Sequence, residues 1–315
     1  MAVPLSRDVA LRCEGLIKKF GKVKAVNGLS FQVVRGECFG LLGPNGAGKT
    51  TSMEILEGLT EADGGVVEVL GRSWSSAGSR AWLRERLGVQ LQQTELSDRL
   101  TVAETLRLFR SFYAKGASVA QLLSMVSLEE KRDARVSALS GGQKQRLSLA
   151  CALAGEPEVL FLDEPSTGLD PQARLAVWSV VEQFLARGGT VLITTHYMDE
   201  AERLCARVAI VDHGAIIALD SPAELKVKNA GTQLIELELE RGLLDAAALT
   251  QLPAVTHVHG EGRSWTIGSA AIGDTLPPLT ALIQAQGDRL ARFSSRLPTL
   301  EDVFVALTGR ALRDG

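Results

Sequence analysis

The sequence predicts an α/β fold built around a parallel sheet, and three observations support this prediction. Apolar runs without alternation, at 158–163 and 189–195, are typical of strands that helices bury on both faces. A third run, 37–42, ends at a glycine-rich turn that is followed by a helix-compatible stretch, 50–58. Leu and Ala recur at three- and four-residue spacing over 101–154, which predicts a helical subdomain inserted into the α/β core.

The remaining elements of the first part of the chain follow in order. The sequence begins with a strand-like segment, a second run comes before the glycine-rich turn, and two short runs near residue 215 form a closing hairpin. We therefore expect strands at 10–16 and 28–34, and a hairpin made of 208–212 and 214–219.

The pattern changes after about Leu225. Residues 233–240 alternate with period 2, with Ile235, Leu237 and Leu239 on one face and glutamates on the other, which predicts a half-exposed antiparallel strand. We expect two more strands joined by a glycine turn, and two helices, at 255–259, 264–267, 278–286 and 299–307, with the turn at 260–262. The predicted domains are 1–225, with the helical subdomain at about 93–155, and a small α+β domain at 226–315.

Length and charge exclude some classes of protein. The chain has 315 residues and a formal net charge of -3, so it has no basic excess that would indicate nucleic acid as the main partner. No window of about 18 uninterrupted apolar residues is present, so the chain is not expected to cross a bilayer on its own. The four cysteines are dispersed and form no CxxC pair, which is typical of small core residues in a reducing compartment.

The turn after the third run has the spacing GxxxxGK[ST] between a predicted strand and a predicted helix. Glycines let backbone N–H groups point into the loop, and the N-terminus of the helix adds positive charge, so the segment is suited to phosphate groups. Lys49 is expected to reach the β- and γ-phosphates, and the Thr50 hydroxyl to bind Mg²⁺. The predicted phosphate-binding residues are Gly43, Pro44, Asn45, Gly46, Ala47, Gly48, Lys49, Thr50 and Thr51.

Two acidic residues end the run 158–163. Asp163 is placed at the end of a buried strand, where it is expected to hold a Mg²⁺-bound water opposite Thr50. The adjacent Glu164 is expected to orient and deprotonate an attacking water. On its own this pattern is weak, but together with the phosphate-binding turn it is strong.

The pentapeptide Leu139-Ser-Gly-Gly-Gln143 has two interpretations. Ser140 and the N–H groups of Gly141 and Gly142 form either an anion site or an ordinary helix cap with flexible glycines. The pentapeptide precedes the Asp163 strand by about 20 residues. With this pentapeptide at this spacing, the chain resembles the ATP-binding cassette (ABC) family, and the resemblance covers residues 8–225. The resemblance implies a P-loop NTPase core and a head-to-tail dimer in which Ser140 and Gln143 meet the nucleotide held by the other subunit.

The resemblance implies further roles, with ATP and Mg²⁺ as the ligands. Gln92 is similar to the loop glutamine that contacts Mg²⁺ and water, which gives Thr50, Gln92 and Asp163 as the metal ligands. Asp170 resembles the aspartate that bridges two subunits, and His196 resembles the switch histidine on the γ-phosphate. Phe20 occupies the position of the aromatic residue that stacks on adenine. The implied catalytic residues are Glu164, His196 and Lys49.

Two functions from different classes compete. The first is the ATPase of a transporter that docks on separate integral membrane permease subunits, as a homodimer or heterodimer of ATPase subunits. The alternative is a soluble ABC ATPase that acts on ribosomes, nucleic acid or metal-cluster assembly. A single cassette, with roughly 90 residues between Gly48 and Leu139, favours the transporter. A cassette that only binds nucleotide is disfavoured because Glu164 and His196 are both present.

Two further segments restrict the resemblance to one branch of the family. The segments 196–202 (HYMDEAE) and 298–309 (PTLEDVFVALTG) resemble the bacterial drug-resistance exporter branch, which includes daunorubicin-type and nodulation-type ATPases. This implies export of a drug, lipid or polysaccharide-like cargo. It also implies a peripheral position on the cytoplasmic side of the bacterial inner membrane, with no nucleic acid as partner.

Overall fold

The structure is a computed structural model that describes residues 8–92, 96–230 and 233–308. The predicted first residue of the helical subdomain, 93, and the last residue of the tail motif, 309, lie outside the described residues. Contacts divide the chain into two compact units with a boundary between Ile217 and Ala218. The domain boundary predicted at residue 225 stays a prediction.

The elements up to the boundary are named here in chain order. The strands are β1 (Val9–Phe20), β2 (Val23–Val34), β3 (Cys38–Leu42), β4 (Gly64–Val69), β5 (Leu87–Gln90), β6 (Val159–Asp163), β7 (Thr190–Thr195), β8 (Arg207–Asp212) and β9 (Ala215–Asp220). The helices are α1 (Lys49–Glu57), α2 (Ser79–Arg84), α3 (Val102–Arg110), α4 (Val119–Met125), α5 (Gly141–Leu153), α6 (Pro171–Ala186) and α7 (Met198–Leu204).

A six-stranded sheet in the order β5-β6-β7-β3-β8-β9 forms the centre of the first unit. The strands from β5 to β8 are parallel, and every residue of β3, β6 and β7 is buried. The predicted α/β class and the closing β8–β9 hairpin are therefore confirmed. In register, Leu42 pairs with Thr195 and Asp163 pairs with Thr194, so the segments that follow β3, β6 and β7 meet at one edge of the sheet.

A second, antiparallel sheet has the order β2-β1-β4. The predicted strands at 10–16 and 28–34 are both present but longer, because β1 and β2 pair from Val9↔Val34 to Phe20↔Val23, with register shifts along the way. This extension places Phe20 at the hairpin end of β1.

The helices α3, α4 and α5 lie between β5 and β6 in the chain, where the helical segment was predicted. Each begins with a capping box. The hydroxyl of the capping residue accepts from the backbone N–H three positions later, and the side chain of that later residue accepts from the backbone N–H of the capping residue. The capping residues are Thr101, Ser118 and Ser140. Local sequence therefore fixes where these helices start.

The second unit contains an antiparallel sheet in the order β11-β12-β10-β13. Its elements are α8 (Pro222–Ala230), β10 (Gln233–Leu239), α9 (Ala246–Thr250), β11 (Val255–Glu261), β12 (Ser264–Ser269), α10 (Ile272–Ala285), β13 (Leu290–Arg296) and α11 (Leu300–Thr308). Ile235, Leu237 and Leu239 are buried in one core with Trp265 and Ile267, as the alternating pattern predicted.

Two boundaries in this unit were predicted wrongly. The hairpin turn is at Gly262 and Arg263, because Gly260 still pairs with Trp265, and an added Cβ at Gly260 would lie 2.2 Å from the Ser264 carbonyl oxygen. Helix α10 begins at Ile272 and carries Pro277 and Pro278 in its interior, whereas the prediction started it at Pro278. Proline is usually found at the first position of a helix, so its place in the interior of α10 is uncommon.

Among the described residues, none of the helices has both the length and the apolar character that a membrane span requires.

All four cysteines are free and buried, which confirms the prediction that they are core residues.

Candidate functional site

The loop 43–48 turns the chain from β3 into α1, and two of its glycines are required by close backbone contacts. A Cβ at Gly43 would lie 2.2 Å from the Val211 carbonyl oxygen, and one at Gly48 would lie 2.2 Å from that of Ala25. Gly48 also has a φ of +97°. The loop therefore packs against β2 and β8, and its N–H groups precede the N-terminus of α1.

Lys49, the first residue of α1, is buried with 4% of its surface exposed. Its Nζ donates to the carbonyl oxygens of Gly43 (2.8 Å) and Pro44 (3.1 Å), and lies 3.7 Å from Oε1 of Glu164. Burial lowers the pKa of Lys49, while the neighbouring carboxylates oppose this shift. The loop thus holds a cation at its own centre.

Asp163 ends β6 and lies opposite Thr50. The Thr50 hydroxyl donates to Oδ1 of Asp163 at 3.3 Å, and the Thr194 hydroxyl of β7 donates to the same oxygen. Burial raises the pKa of Asp163, and Glu164 raises it further, while the two hydroxyls lower it. A carboxylate and a hydroxyl converge here, and oxygen ligands of this kind suit Mg²⁺, so the donor set fits that ion.

Glu164 is the residue whose carboxylate the other site side chains approach. Its backbone has a φ of 47°, which is rare for a residue with a side chain, and its N–H donates to the carbonyl (3.1 Å) and hydroxyl (3.0 Å) oxygens of Thr194. Its carboxylate accepts from the Thr167 hydroxyl at 3.2 Å. Backbone contacts with β7 therefore hold Glu164 in a conformation that directs its carboxylate toward Lys49.

Gln92 and His196 approach the same carboxylate from two other segments. The Gln92 Nε2 donates to Glu164 Oε2 at 3.4 Å, and Nδ1 of His196 lies 3.3 Å from that oxygen. Gln92 follows β5, and His196 follows β7. The structure thus brings together five predicted site residues from four segments: Lys49, Gln92, Asp163, Glu164 and His196.

A cavity of about 370 Å³ lies at this point. It is lined by residues 45–46 and 48–51 of the loop and helix, with Ala25, Gln92 and Glu164. Cavities of this size are within the range that holds small ligands. The cavity has backbone N–H groups and Lys49 on one side and a carboxylate on the other, an arrangement suited to phosphate groups and water.

Phe20 has 54% of its surface exposed, so it is not a core residue. The Nζ of Lys18 lies 5.4 Å from the centre of its ring. An exposed aromatic face next to a cation is available for stacking on a flat ligand.

Ser140, Gly141, Gly142 and Gln143 are not among the residues that line this cavity. Ser140 caps α5, and its hydroxyl accepts from the Gln143 N–H at 3.3 Å, so the capping interpretation is correct as far as one chain is concerned. Asp170 is exposed and caps α6 by accepting from the Ala173 N–H at 2.9 Å. The cavity and the exposed helix start with its two glycines are therefore formed by different residues of the chain.

Sequence reasoning missed Thr194 and Thr167, which contact Asp163 and Glu164. Thr194 is the first polar residue after the apolar part of β7, which is a weak signal. Thr167 lies in the turn after Glu164, and its role depends on how that turn folds.

Comparisons with known proteins agree with this geometry. A sequence profile of the family described as ABC transporter matches residues 26–167. A Nod factor export ATP-binding protein I from Ralstonia nicotianae is 42% identical over 313 residues, covering 96% of this chain and 95% of that protein. A protein of the same name from Burkholderia orbicola is 43% identical over 302 residues, covering 94% and 96%.

Solved structures give the same result for the fold. The cbiO1 protein of Clostridium perfringens, part of an ABC transporter complex, superposes with a TM-score of 0.63 at 28% identity, covering 69% of this chain and 90% of that chain. The predicted fold class, with its P-loop NTPase core, is therefore confirmed.

Proposed function

This chain belongs to the ABC transporter family of ATP-binding proteins, and from that premise we propose that it binds and hydrolyses ATP as the ATP-binding subunit of an exporter. The observation that carries the proposal is a cavity lined by Lys49, Gln92 and Glu164, with His196 beside Glu164 and Asp163 beside Thr50.

The triphosphate binds to the loop 43–51 in this proposal. Backbone N–H groups of the loop and the start of α1 hold the phosphate oxygens, and Lys49 moves its Nζ from the loop carbonyls toward the β- and γ-phosphates. Phe20 stacks on the adenine. Thr50, Asp163 and Gln92 would hold Mg²⁺, which when bound neutralises negative charge on the transferring phosphoryl group.

Hydrolysis then depends on Glu164. Its carboxylate accepts a proton from the attacking water, while Gln92 and His196, which already contact this carboxylate, orient it and the water. Lys49 and His196 stabilise the charge that develops on the γ-phosphate. The left-handed backbone at Glu164 fixes the position of the base before the substrate binds.

A second copy completes the site. Ser140, Gly141, Gly142 and Gln143 do not line the cavity of their own chain, yet Ser140 and Gly141 are exposed at the start of α5, where backbone N–H groups attract anions. We infer that they contact the γ-phosphate held by a partner ATPase subunit, which is a second copy or a related chain, and that Asp170 lies at the same dimer interface.

The transporter partner is a separate integral membrane protein. Large apolar side chains are exposed on the segment that carries Gln92 and near the end of α3, where Leu91, Leu108 and Phe112 have 42%, 45% and 68% of their surface exposed. Apolar surface of this kind is typical of protein contacts. We propose that the permease docks at these segments and that the chain is peripheral on the cytoplasmic side of the bacterial inner membrane. The names of the relatives support export as the direction.

The test is the Glu164→Gln variant, with Glu158→Gln as the control, because Glu158 is a partly exposed carboxylate that pairs with arginines away from the cavity. We expect Glu164→Gln to bind ATP normally and to accumulate as an ATP-bound dimer. Its rate of ATP hydrolysis should be lower than the native rate by a factor of roughly 100 or more. Phosphate release and size-exclusion chromatography with ATP measure both effects. A native hydrolysis rate in Glu164→Gln would rule out Glu164 as the base.

A further inference from the structure

Glu200 is a fully buried carboxyl group that the proposed reaction does not use. It lies in α7, inside the segment 196–202 that begins with His196. The Trp178 Nε1 donates to its Oε1 at 2.8 Å. Its other oxygen, Oε2, and the hydroxyl of the fully buried Ser166 both lack a hydrogen-bond partner in the described part of the chain.

The polar groups around Glu200 come from three different segments. The side chains of Thr195, Trp178 and Ser166 all stabilise its charged form, so all three lie beside the carboxyl. A small movement of the Ser166 hydroxyl would satisfy both unpaired oxygens with one hydrogen bond. Glu200 thus lies where the loop after β6, helix α6 and the end of β7 meet.

Each of these three segments carries a residue of the proposed site. Ser166 follows Glu164 by two positions, and Thr195 directly precedes His196. Trp178 belongs to α6, the helix that Asp170 caps. Helix α6 and the residues after β7 are joined a second time, where Arg174 of α6 lies 4.3 Å from the Tyr197 ring and 3.0 Å from Asp199.

The surroundings of Glu200 shift its pKa upward. Burial raises the pKa of this carboxyl, Thr195, Trp178 and Ser166 oppose that shift, and the neighbouring Asp199 adds to it. A neutral carboxylic acid both accepts and donates a hydrogen bond, so it can accept from Trp178 and donate to Ser166 or Thr195. An ionised carboxylate in the same place would have acceptors only and would be expensive to bury.

We propose that Glu200 is a positioning residue that holds the Glu164 loop and the His196 loop in register through its hydrogen bond to Trp178 and its position beside Ser166 and Thr195. Glu200 does not touch the nucleotide. The proposal rests on the proposed function, because it explains how two residues of that site keep their spacing.

Two variants separate hydrogen bonding from packing. Glu200→Gln keeps an acceptor for Trp178 and a donor for Ser166, so we expect its kcat to stay within about twofold of the native chain. Glu200→Leu keeps similar volume without either group. We expect it to keep its melting temperature and its Kd for ATP but to lose roughly 10- to 100-fold in kcat, because Glu164 and His196 are no longer held in place.

A third variant keeps the test decisive if Glu200→Leu does not fold. Ser166→Ala removes one buried hydroxyl and little volume, and we expect a severalfold loss of kcat with unchanged Kd. The loss in Ser166→Ala/Glu200→Leu should equal that in Glu200→Leu alone, because both changes break one connection. Native kcat in Glu200→Leu or in Ser166→Ala, or effects that multiply in the double variant, would overturn the proposal. A native chain with no ATPase activity would overturn the proposed function as well.

Discussion

Lys49 and Glu164 lie 3.7 Å apart, and both are almost completely removed from water. Burying an unpaired charge is expensive, and the Glu164 carboxylate opposes the loss of charge on Lys49. The loop carbonyls of Gly43 and Pro44 share the cation. In the proposed function, the Lys49 Nζ exchanges these carbonyl oxygens for phosphate oxygens when the nucleotide binds, so the buried cation keeps oxygen partners in both states.

Replacing Lys49 by Ala should weaken ATP binding by at least roughly tenfold, because a charge-assisted contact with the phosphates is lost. Isothermal titration with ATP measures the change. Lys115→Ala, which removes an exposed lysine of the helical segment, is the control and should bind as the native chain does. Equal affinities in the two variants would mean that Lys49 does not bind phosphate.

Glu57 gives the site region a pH dependence of stability. This residue ends α1 and is buried, and one of its side-chain oxygens has no hydrogen-bond partner among the residues that the structure describes. Its pKa is raised to about 8 by burial and by the charges of Asp163 and Glu54. An acid whose pKa is higher in the folded state keeps its proton there while the unfolded chain loses it. The free energy of unfolding therefore falls as the pH rises from about 4.5 to about 8.

Glu57→Gln should remove this effect. We expect the variant to melt at nearly the native temperature at pH 5 and at a higher temperature at pH 8, with a gain of roughly 2–5 kcal/mol in the free energy of unfolding at the higher pH. Thermal melts at several pH values measure the gain. Glu61→Gln, at an exposed position, is the control and should show no such trend. A gain that is the same at both pH values would contradict the assignment.

At the scale of single elements, the start of α5 has two adjacent glycines in different surroundings. A Cβ on Gly142 would lie 2.6 Å from the Ala173 Cβ of α6, whereas a Cβ on Gly141 would meet nothing within 4 Å. Gly142 is therefore needed for helix packing inside the chain. Nothing in the described part of the chain requires glycine at Gly141, which is what a position reserved for a ligand or a partner would show.

Gly142→Ala should lower the melting temperature, since α5 and α6 must separate to admit the methyl group. Gly141→Ala should leave the melting temperature unchanged but slow hydrolysis severalfold, because in the proposed dimer the methyl group would lie against the partner's nucleotide. Thermal melts and phosphate release distinguish the two variants. Native hydrolysis in Gly141→Ala would contradict contact between this helix start and a nucleotide.

Elements with strong local signals could be predicted, and those defined by tertiary contacts could not. Strands β3, β6 and β7 are continuous apolar runs because both faces are buried, so the sequence alone located them. The wrong hairpin turn at Gly260 had a long-range cause, since that glycine is needed for close approach to Ser264 and not for a turn. The same distinction applies in the site, where Lys49 belongs to a recognisable motif but Thr194 and Glu57 act only through residues brought close by folding.

At the scale of the whole molecule, the described strands before and after residue 221 form separate sheets, and this predicts that the chain up to that residue is stable alone. The sheets around the cavity are complete by Asp220, and the core of the second unit begins after residue 233. We expect a chain that ends at Ser221 to unfold in one cooperative step and to bind ATP with an affinity within about threefold of the full chain. Titration and thermal melts measure both. Loss of cooperative unfolding would show that the second unit is needed for the first to fold.

The buried thiols have a practical consequence for anyone who wants to observe this protein at work. Cys13 and Cys151 have pKa values of about 12, and Cys38 and Cys205 lie in the interior, so a maleimide dye finds almost no reactive thiolate on the folded chain. A cysteine introduced at an exposed position would then take up the dye selectively, without the usual removal of native cysteines. Energy transfer between two such labels could follow the association and dissociation of the subunits of the proposed dimer during each cycle of ATP hydrolysis.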